Sequence, residues 1–211
     1  MPMGVSSLYV KICGLTRAED AVACAELGAT ALGLNFVPTS RRRVDERTAR
    51  EIADAVRGRV ELVGVMADVD PSEAARIRDA VGLDYVQLHG DESAEVVEAL
   101  LPRAFKAVRI GDAEDARLAS DVPGERILVD AKVSGELGGT GKTLDFSLVR
   151  RLAEERPLLL AGGLTPENVT RAVRVVRPFG VDVASGVESS PGVKDRARVA
   201  AFIEAAQRGV S

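Results

Sequence analysis

Short apolar segments alternate with amphipathic helical patterns along almost the whole chain. Eight segments rich in aliphatic and β-branched residues have the length of buried strands. They span residues 9–13, 29–36, 60–66, 84–88, 105–110, 126–130, 157–161 and 181–184. Each is followed by apolar residues at helical spacing, as at Ala49, Ile52, Ala53 and Val56 after the second segment. The pattern predicts eight consecutive strand–helix units.

Three of the predicted helices carry recognisable start signals. Thr16 followed by Glu19 has the spacing of a capping box. Asp70-Pro71-Ser72-Glu73 combines a capping aspartate, a proline at the first helical position and a box glutamate. Thr165-Pro166 has the same character before the seventh helix. We therefore expect helices to begin directly after Thr16, Asp70 and Thr165.

Eight strand–helix units without a linker are most economically closed into a (β/α)8 TIM barrel, a fold of the α/β class. The alternative is an open doubly wound sheet, which would be wider than most. No low-complexity segment or domain boundary interrupts the chain. Residues 1–211 are therefore expected to form one domain.

Composition and charge narrow the classes of partner. The chain is 46% hydrophobic and 28% charged, and its formal net charge of −4 does not favour a nucleic-acid partner. No apolar stretch has the length of a membrane span, and residues 1–7 lack the apolar core of a signal peptide. We expect a cytoplasmic protein that binds neither nucleic acid nor membrane.

The two cysteines, Cys13 and Cys24, are too few for a disulfide framework and have no metal-ligand spacing. Both are expected to be free thiols, and no metal site is predicted. Cys24 lies between Ala23 and Ala25 in a helix, where a cysteine is usually part of the core. Without other information, Cys13 at a strand end would also be interpreted as part of the core.

In a (β/α)8 barrel the functional site lies where the strands end and the helices begin. This rule selects polar residues and glycines at or just after the predicted strand ends. They are Lys11, Cys13, Asn35, the arginines of loop 37–43, His89, Asp130, Gly162, Gly163, Asp182, Ser185 and Gly186. Asp130, which ends a short apolar run, fits a structural ion pair as well as a functional role.

Glycines follow the last two predicted strands. Gly162-Gly163 comes after the seventh strand and Ser185-Gly186 after the eighth. These two loops often form the phosphate site of a barrel, because bare backbone N–H groups and a helix N-terminus close on the anion. A single glycine pair usually only makes a turn. Two pairs in the two expected loops favour a phosphate site.

Six motifs occur in order along the chain. They are Lys11-Ile12-Cys13-Gly14, Pro38-x-Ser40-x-Arg42, Val86-Gln87-Leu88-His89-Gly90, Gly138-Gly139-Thr140-Gly141-Lys142-Thr143, Leu160-Ala161-Gly162-Gly163-Leu164-x-Pro166-Glu167-Asn168-Val169 and Val181-Asp182-Val183-x-Ser185-Gly186-Val187-Glu188. Together they resemble the phosphoribosylanthranilate isomerases of tryptophan biosynthesis, over about residues 10–202. One such motif would be weak, whereas six in the right order are specific.

The resemblance implies an Amadori rearrangement of N-(5-phosphoribosyl)anthranilate to 1-(2-carboxyphenylamino)-1-deoxyribulose 5-phosphate, without a metal or organic cofactor. In this family the cysteine that ends strand one is the general base, and the aspartate that ends strand six is the general acid. These positions are Cys13 and Asp130 here. The arginine that faces the anthranilate corresponds to Arg42, which Arg41 and Arg43 flank.

This reaction needs unusual protonation states. A neutral carboxylic acid protonates the furanose ring oxygen, and a thiolate removes the C2 proton of the resulting Schiff base. Cys13 must ionise while Asp130 keeps its proton, which inverts a reference pKa gap of about 4.6 units, or about 6 kcal/mol. Either the environment supplies part of this difference, with Lys11 as one candidate cation, or a minor protonation state is active.

Lys11, His89 and Asp182 are expected to line the substrate site. His89 is the only histidine, but the reaction already has an acid and a base, so we interpret it as a wall or hydrogen-bonding residue. Lys11 shares the strand face of Cys13, which favours electrostatic support or a structural role over a Schiff-base nucleophile. Asp182 is interpreted as site scaffold.

Two positions near the barrel mouth depart from the family pattern. Asn35 stands where the family more often has an apolar or aromatic residue, and strand three ends Met66-Ala67-Asp68 where Phe-x-Asn is common. These departures affect fine substrate contacts and leave the acid and the base in place.

Three other functions remain as alternatives. An indole-3-glycerol phosphate synthase would use lysine and glutamate on different strands, and histidine-pathway isomerases have an aspartate where Cys13 stands. A catalytically silent barrel predicts loss of the thiol or the carboxylate, and both are present. The expected partner is a small sugar phosphate, and the chain is expected to be a monomer or a homodimer.

Overall fold

The fold is described by a computed structural model over residues 8–130 and 146–210. Eight parallel strands close into a barrel in the order β1 to β8. The strands are β1 (Tyr9–Cys13), β2 (Ala31–Asn35), β3 (Glu61–Met66), β4 (Tyr85–Leu88), β5 (Ala104–Arg109), β6 (Ile127–Asp130), β7 (Leu158–Ala161) and β8 (Gly180–Val183). The predicted barrel is confirmed, and the open-sheet alternative is wrong. The glycine-rich motif that starts at Gly138 and ends at Thr143 lies outside the described residues.

A helix follows each strand. The helices are α1 (Ala18–Glu26), α2 (Glu46–Val56), α3 (Pro71–Val81), α4 (Ala94–Glu98), α5 (Ala113–Ser120), α6 (Phe146–Glu155), α7 (Val169–Val176) and α8 (Arg196–Arg208). Ala49, Ile52, Ala53 and Val56 of α2 are buried as their spacing predicted. Within the described residues, no helix has the length and apolar character needed to cross a membrane.

The alternation of side chains along each strand separates two apolar cores. Outward-facing residues such as Val10 and Ile12 pack against the helices in the larger cluster. Inward-facing residues near the strand starts, including Tyr9, Phe105 and Leu128, fill the barrel interior. Further along β1, the inward positions are Lys11 and Cys13. The inner face thus changes from apolar to polar and charged toward the strand ends.

Strand register closes the barrel and places specific pairs side by side. β1 pairs with β2 on one side and β8 on the other, with Cys13 opposite Gly33 and Lys11 opposite Asp182. Gly33 leaves the room that the two β1 side chains need. A Cβ atom there would lie 2.7 Å from the Cys13 sulfur and 3.0 Å from the Lys11 ammonium nitrogen.

The predicted start of α3 is correct. Asp70 is the N-cap residue, its carboxylate accepts from the backbone N–H of Ser72 at 2.8 Å, and Pro71 is the first helical residue. Glu73 does not close a capping box, since its carboxylate binds the guanidinium of Arg76.

The predicted start of α1 is wrong. The N-cap position is Arg17, which makes no side-chain capping hydrogen bond. The hydroxyl group of Thr16 instead donates to the backbone carbonyl of Gly192 at 2.6 Å. This hydroxyl group therefore binds a partner 176 residues away and does not cap the helix.

The predicted start of α7 is also wrong, because this helix begins at Val169. Asn168 closes the preceding turn: its Oδ1 accepts from the N–H of Thr165, and its Nδ2 donates to the carbonyl of Gly163. The segment after β8, predicted as a loop, forms a 3₁₀ turn (Ser185–Val187) and a hairpin of β9 (Glu188–Ser190) and β10 (Val193–Lys194).

Candidate active site

A cavity of about 220 Å³ opens at the carboxyl ends of the barrel strands. The predicted residues that line it are Cys13, Asn35, Arg42, His89, Asp130, Gly162, Gly163, Asp182, Ser185 and Gly186. Lys11 lies beside this lining with no exposed surface. The fold thus brings together residues that the barrel rule selected from six different strand ends.

Lys11 connects Asp182 to Cys13. Its ammonium nitrogen lies 2.7 Å from Oδ1 of Asp182, and it also hydrogen-bonds the Cys13 sulfur. Burial acts to lower the pKa of Lys11, but the negative charge of Asp182 and hydrogen bonds to Asp182 and Cys13 outweigh it and raise that pKa. Lys11 therefore stays charged, which excludes a neutral amine nucleophile at this position.

Burial raises the pKa of the Cys13 thiol above its ordinary value. The positive charge of Lys11 opposes this rise, whereas the negative charge of Asp182 adds to it. The environment therefore does not produce a stable thiolate at neutral pH. If Cys13 is the base, its thiolate is a minor protonation state of the protein.

Arg42 is the arginine of its loop that reaches the cavity. Its Nε and one terminal nitrogen donate to the two carboxylate oxygens of Glu188, at 2.7 and 2.6 Å. Arg41 and Arg43 are exposed. A bidentate pair of this kind fixes the plane of the guanidinium and leaves its remaining N–H groups for a ligand.

Lys194 joins the hairpin to the barrel. Its ammonium nitrogen donates to the backbone carbonyls of Cys13 at 2.7 Å and Ala184 at 3.1 Å, and lies 2.8 Å from Glu188. Burial acts to raise the pKa of Glu188, but hydrogen bonds from Arg42 and Lys194 hold that pKa below its usual range. The sequence analysis did not identify Lys194 or Glu188 as buried residues of the site, because a charged residue in a loop gives no sequence signal of burial.

His89 lines the cavity from the end of β4. Its Nδ1 lies 2.8 Å from Nε2 of Gln87, two residues earlier on the same strand face. Burial lowers the pKa of His89, and the negative charges of Asp182 and Asp130 oppose this. Sequence reasoning did not select Gln87, although a buried amide in an otherwise apolar strand was a usable signal.

The loops after β7 and β8 approach each other closely. Gly162 and Gly163 have φ angles of +94° and +69°, which side chains other than glycine rarely adopt. A Cβ atom at Gly186 would lie 2.0 Å from the carbonyl oxygen of Leu164. The close packing requires glycine and presents backbone to the cavity.

Asp130 ends β6 and pairs in register with Arg109 and Ala161 of the neighbouring strands. Asn35, the unusual residue of strand two, accepts the backbone N–H of Val37 at 2.8 Å and so shapes its own loop. Among residues 8–130 and 146–210, no group of three or more His, Cys, Asp or Glu side chains is placed to hold a metal ion.

Residues 10–205 match the profile of the N-(5′-phosphoribosyl)anthranilate (PRA) isomerase family. The chain belongs to the PRA isomerase family. It is 48% identical over 201 residues to the N-(5′-phosphoribosyl)anthranilate isomerase of Pseudomonas aeruginosa, covering 94% of this chain and 95% of that protein.

Solved PRA isomerase structures have the same barrel. The Thermotoga maritima enzyme matches with a TM-score of 0.84 and 41% identity, covering 94% of this chain and 98% of the other. A PRA isomerase in complex with reduced 1-(o-carboxyphenylamino)-1-deoxyribulose 5-phosphate also has a TM-score of 0.84, at 38% identity and the same coverage. The predicted family is therefore confirmed.

Proposed function

We propose that this chain converts N-(5-phosphoribosyl)anthranilate to 1-(2-carboxyphenylamino)-1-deoxyribulose 5-phosphate in tryptophan biosynthesis, with Cys13 as general base and Asp130 as general acid. The observation that carries the proposal is that the thiol and the carboxylate line one cavity, beside a buried cation. Membership of the PRA isomerase family supports the same reaction.

The proton transfers follow from the two groups. Asp130 gives a proton to the ring oxygen of the furanose, and the C1–O bond breaks as the nitrogen lone pair forms the Schiff base. Cys13 then removes the proton from C2, which the iminium group has acidified. The resulting enolamine becomes the ketone when C1 is protonated and the C2 hydroxyl loses its proton.

The base must ionise before it acts. Because burial raises the pKa of Cys13, the thiolate is the minor form of the free protein at neutral pH. Lys11, in direct contact with the sulfur, stabilises the thiolate when it forms. Because Asp130 must keep its proton while Cys13 loses one, we expect only a small fraction of the enzyme to be in the active form at neutral pH.

The two ends of the substrate are assigned to different loops of the rim. The glycine-containing loops at Gly162, Gly163, Ser185 and Gly186 are proposed to bind the phosphate through backbone N–H groups. Arg42, oriented by Glu188, is proposed to bind the anthranilate carboxylate. The substrate then lies across Cys13 and Asp130.

The test is turnover of purified Cys13→Ala and Asp130→Asn variants with N-(5-phosphoribosyl)anthranilate. General acid–base groups contribute about 10²–10⁴-fold, so each variant is expected to lose at least about 100-fold in kcat while still binding product. Cys24→Ala is the matched control, since the other thiol is buried in α1 outside the cavity. Near-normal kcat in either active-site variant would remove that residue from its role.

The same variants are suited to complementation of a tryptophan auxotroph that lacks this isomerase. Growth is expected with the parent chain and with Cys24→Ala, but not with Cys13→Ala. Assay of the purified protein against the histidine-pathway aminoaldose phosphate checks the main alternative. A cytoplasmic location and a monomeric or homodimeric state remain predictions.

A further inference from the structure

Gln87 is an unusual side chain for the interior of this barrel. It is 1% exposed, and its register partners on the neighbouring strands are Val65 and Phe105. Its Nε2 lies 2.8 Å from Nδ1 of His89. Its Oε1 has no hydrogen-bond partner among the described residues. The amide nitrogen is therefore paired with His89, and the buried amide oxygen is unpaired.

The direction of the hydrogen bond follows from what each orientation of the amide leaves unpaired. With Nε2 donating to the ring, the unpaired atom is a carbonyl-type oxygen. The reverse orientation would leave a buried N–H group unpaired, which proteins tolerate less often than an unpaired carbonyl. Nδ1 of His89 is therefore the acceptor, and a neutral ring must carry its proton on Nε2.

The surroundings keep this ring neutral. Burial lowers the pKa of His89, and the cations Lys11 of β1 and Lys106 of β5 act in the same direction. The carboxylates of Asp182 on β8 and Asp130 on β6 oppose them without reversing the shift. A histidine with Nδ1 occupied and a proton on Nε2 is a hydrogen-bond donor that does not accept a proton.

We propose that Gln87 is a positioning residue that holds His89 as the neutral Nε2–H tautomer, so that His89 donates a hydrogen bond to a sugar oxygen of the substrate. The inference rests on the proposed function and deepens it. It assigns His89 to recognition of the polyhydroxylated chain and leaves proton transfer to Cys13 and Asp130.

Stability provides an independent reason for this assignment. An unpaired buried oxygen destabilises the folded state, and a methionine of similar length would avoid that cost. A residue that costs stability at a site is expected where the site needs its chemistry. Gln87→Met is therefore expected to leave the urea midpoint of unfolding unchanged or higher while impairing the enzyme.

The experiment is ¹⁵N NMR of the imidazole together with kinetics. His89 is the only histidine, so its two ring nitrogens need no further assignment to a residue. The parent protein is expected to have a protonated Nε2 and an unprotonated Nδ1, and to remain neutral below the ordinary histidine pKa of about 6.5. Gln87→Met is expected to give mixed tautomers and a kcat/KM about 10-fold lower, as for loss of one oriented hydrogen bond.

Two further variants make the test specific. Gln87→Glu keeps the size but replaces the donor with a carboxylate, so the ring proton is expected to move to Nδ1 and kcat/KM to fall. Leu88→Met lies on the same strand but faces the outer core, and it is expected to keep the parent tautomer and kcat/KM.

A parent protein with its proton on Nδ1 would overturn the proposal. Gln87→Met that keeps both the Nε2–H tautomer and the parent kcat/KM would overturn it as well. A parent protein with the expected tautomer but no isomerase activity would contradict the proposed function, and with it the substrate role of His89. The tautomer measurement thus separates the two failures.

Discussion

At Cys13, burial and the charges of Lys11, Asp182 and Lys194 decide how easily the thiol ionises. Lys11 is fully buried two residues earlier, and its ammonium group contacts both the Cys13 sulfur and Asp182. Burial disfavours the thiolate, and the Lys11 charge favours it. The same lysine therefore supports ionisation of the proposed base and is not itself expected to take part in covalent chemistry.

Lys11→Met is expected to raise the pKa of Cys13 and to lower kcat/KM at neutral pH by about 10-fold or more, because only the charge of Lys194 then opposes burial and the Asp182 charge. The sign follows from the thiolate being the active form: a higher pKa of Cys13 means that a higher pH is needed to populate it. The midpoint of Cys13 ionisation is measured from the pH dependence of its alkylation, and kcat/KM is measured at neutral pH.

The double variant Lys11→Met/Asp182→Asn is the control for this shift. It removes both charges, so the midpoint is expected to lie closer to that of the parent than in Lys11→Met. The single variant is also expected to be less stable by about 3–5 kcal/mol, since a buried carboxylate loses its partner. An unchanged midpoint in Lys11→Met would show that the lysine does not influence the base.

At the level of elements, the β9–β10 hairpin acts as a clamp on the strand ends. Lys194 on β10 binds the carbonyls after β8 and at the end of β1, and its Glu188 partner orients Arg42 from the loop after β2. Three separate barrel segments thus meet at two side chains of a short hairpin. Cys13 and Arg42 depend on it for their positions.

Lys194→Met is expected to destabilise the protein by about 2–4 kcal/mol, because two backbone carbonyls and Glu188 lose a buried cationic donor. Urea unfolding measures this loss, and kinetics should show a higher KM together with a lower kcat. Arg196→Met is the matched control two residues away. Its exposed ion pair with Glu26 at 3.3 Å is expected to contribute less than about 0.5 kcal/mol. Equal losses in the two variants would contradict the clamp.

For the molecule as a whole, several buried groups bind their protons more tightly when folded. Burial raises the pKa of Cys24 to about 12 and also raises the pKa values of Tyr9 and Cys13. In the unfolded chain, thiols ionise near pH 8.5 and tyrosine near pH 10, by about these reference values. Between the two sets of pKa values the folded state holds more protons, so stability must fall as pH rises.

We expect the free energy of unfolding to decrease above about pH 8.5, by about 1.4 kcal/mol per pH unit for each such group. Urea unfolding under reducing conditions at several pH values between 7 and about 10.5 measures the slope. Cys24→Ala removes one of these groups. The decrease in its free energy of unfolding with pH is therefore expected to be smaller by about 1.4 kcal/mol per pH unit. An identical slope in this variant would mean that Cys24 ionises as easily in the folded state.

The sequence by itself determined the barrel and the end at which the site lies. Strand and helix periodicities are local properties, and the ends of parallel strands must meet at one rim whatever the details of packing. That is why Cys13, Asp130 and the glycine loops were found before the fold was known. Their catalytic and phosphate-binding roles remain predictions.

Only the tertiary structure decided which polar groups meet at that rim. Lys194 and the Cys13 carbonyl are 181 residues apart, and Arg42 and Glu188 are 146 apart, so no local pattern marks either pair. The start of α1 was mispredicted for the same reason, because a distant carbonyl takes the Thr16 hydroxyl. The ionisation of Cys13 likewise follows from burial and from Lys11, and both depend on how β1 packs against β2 and β8.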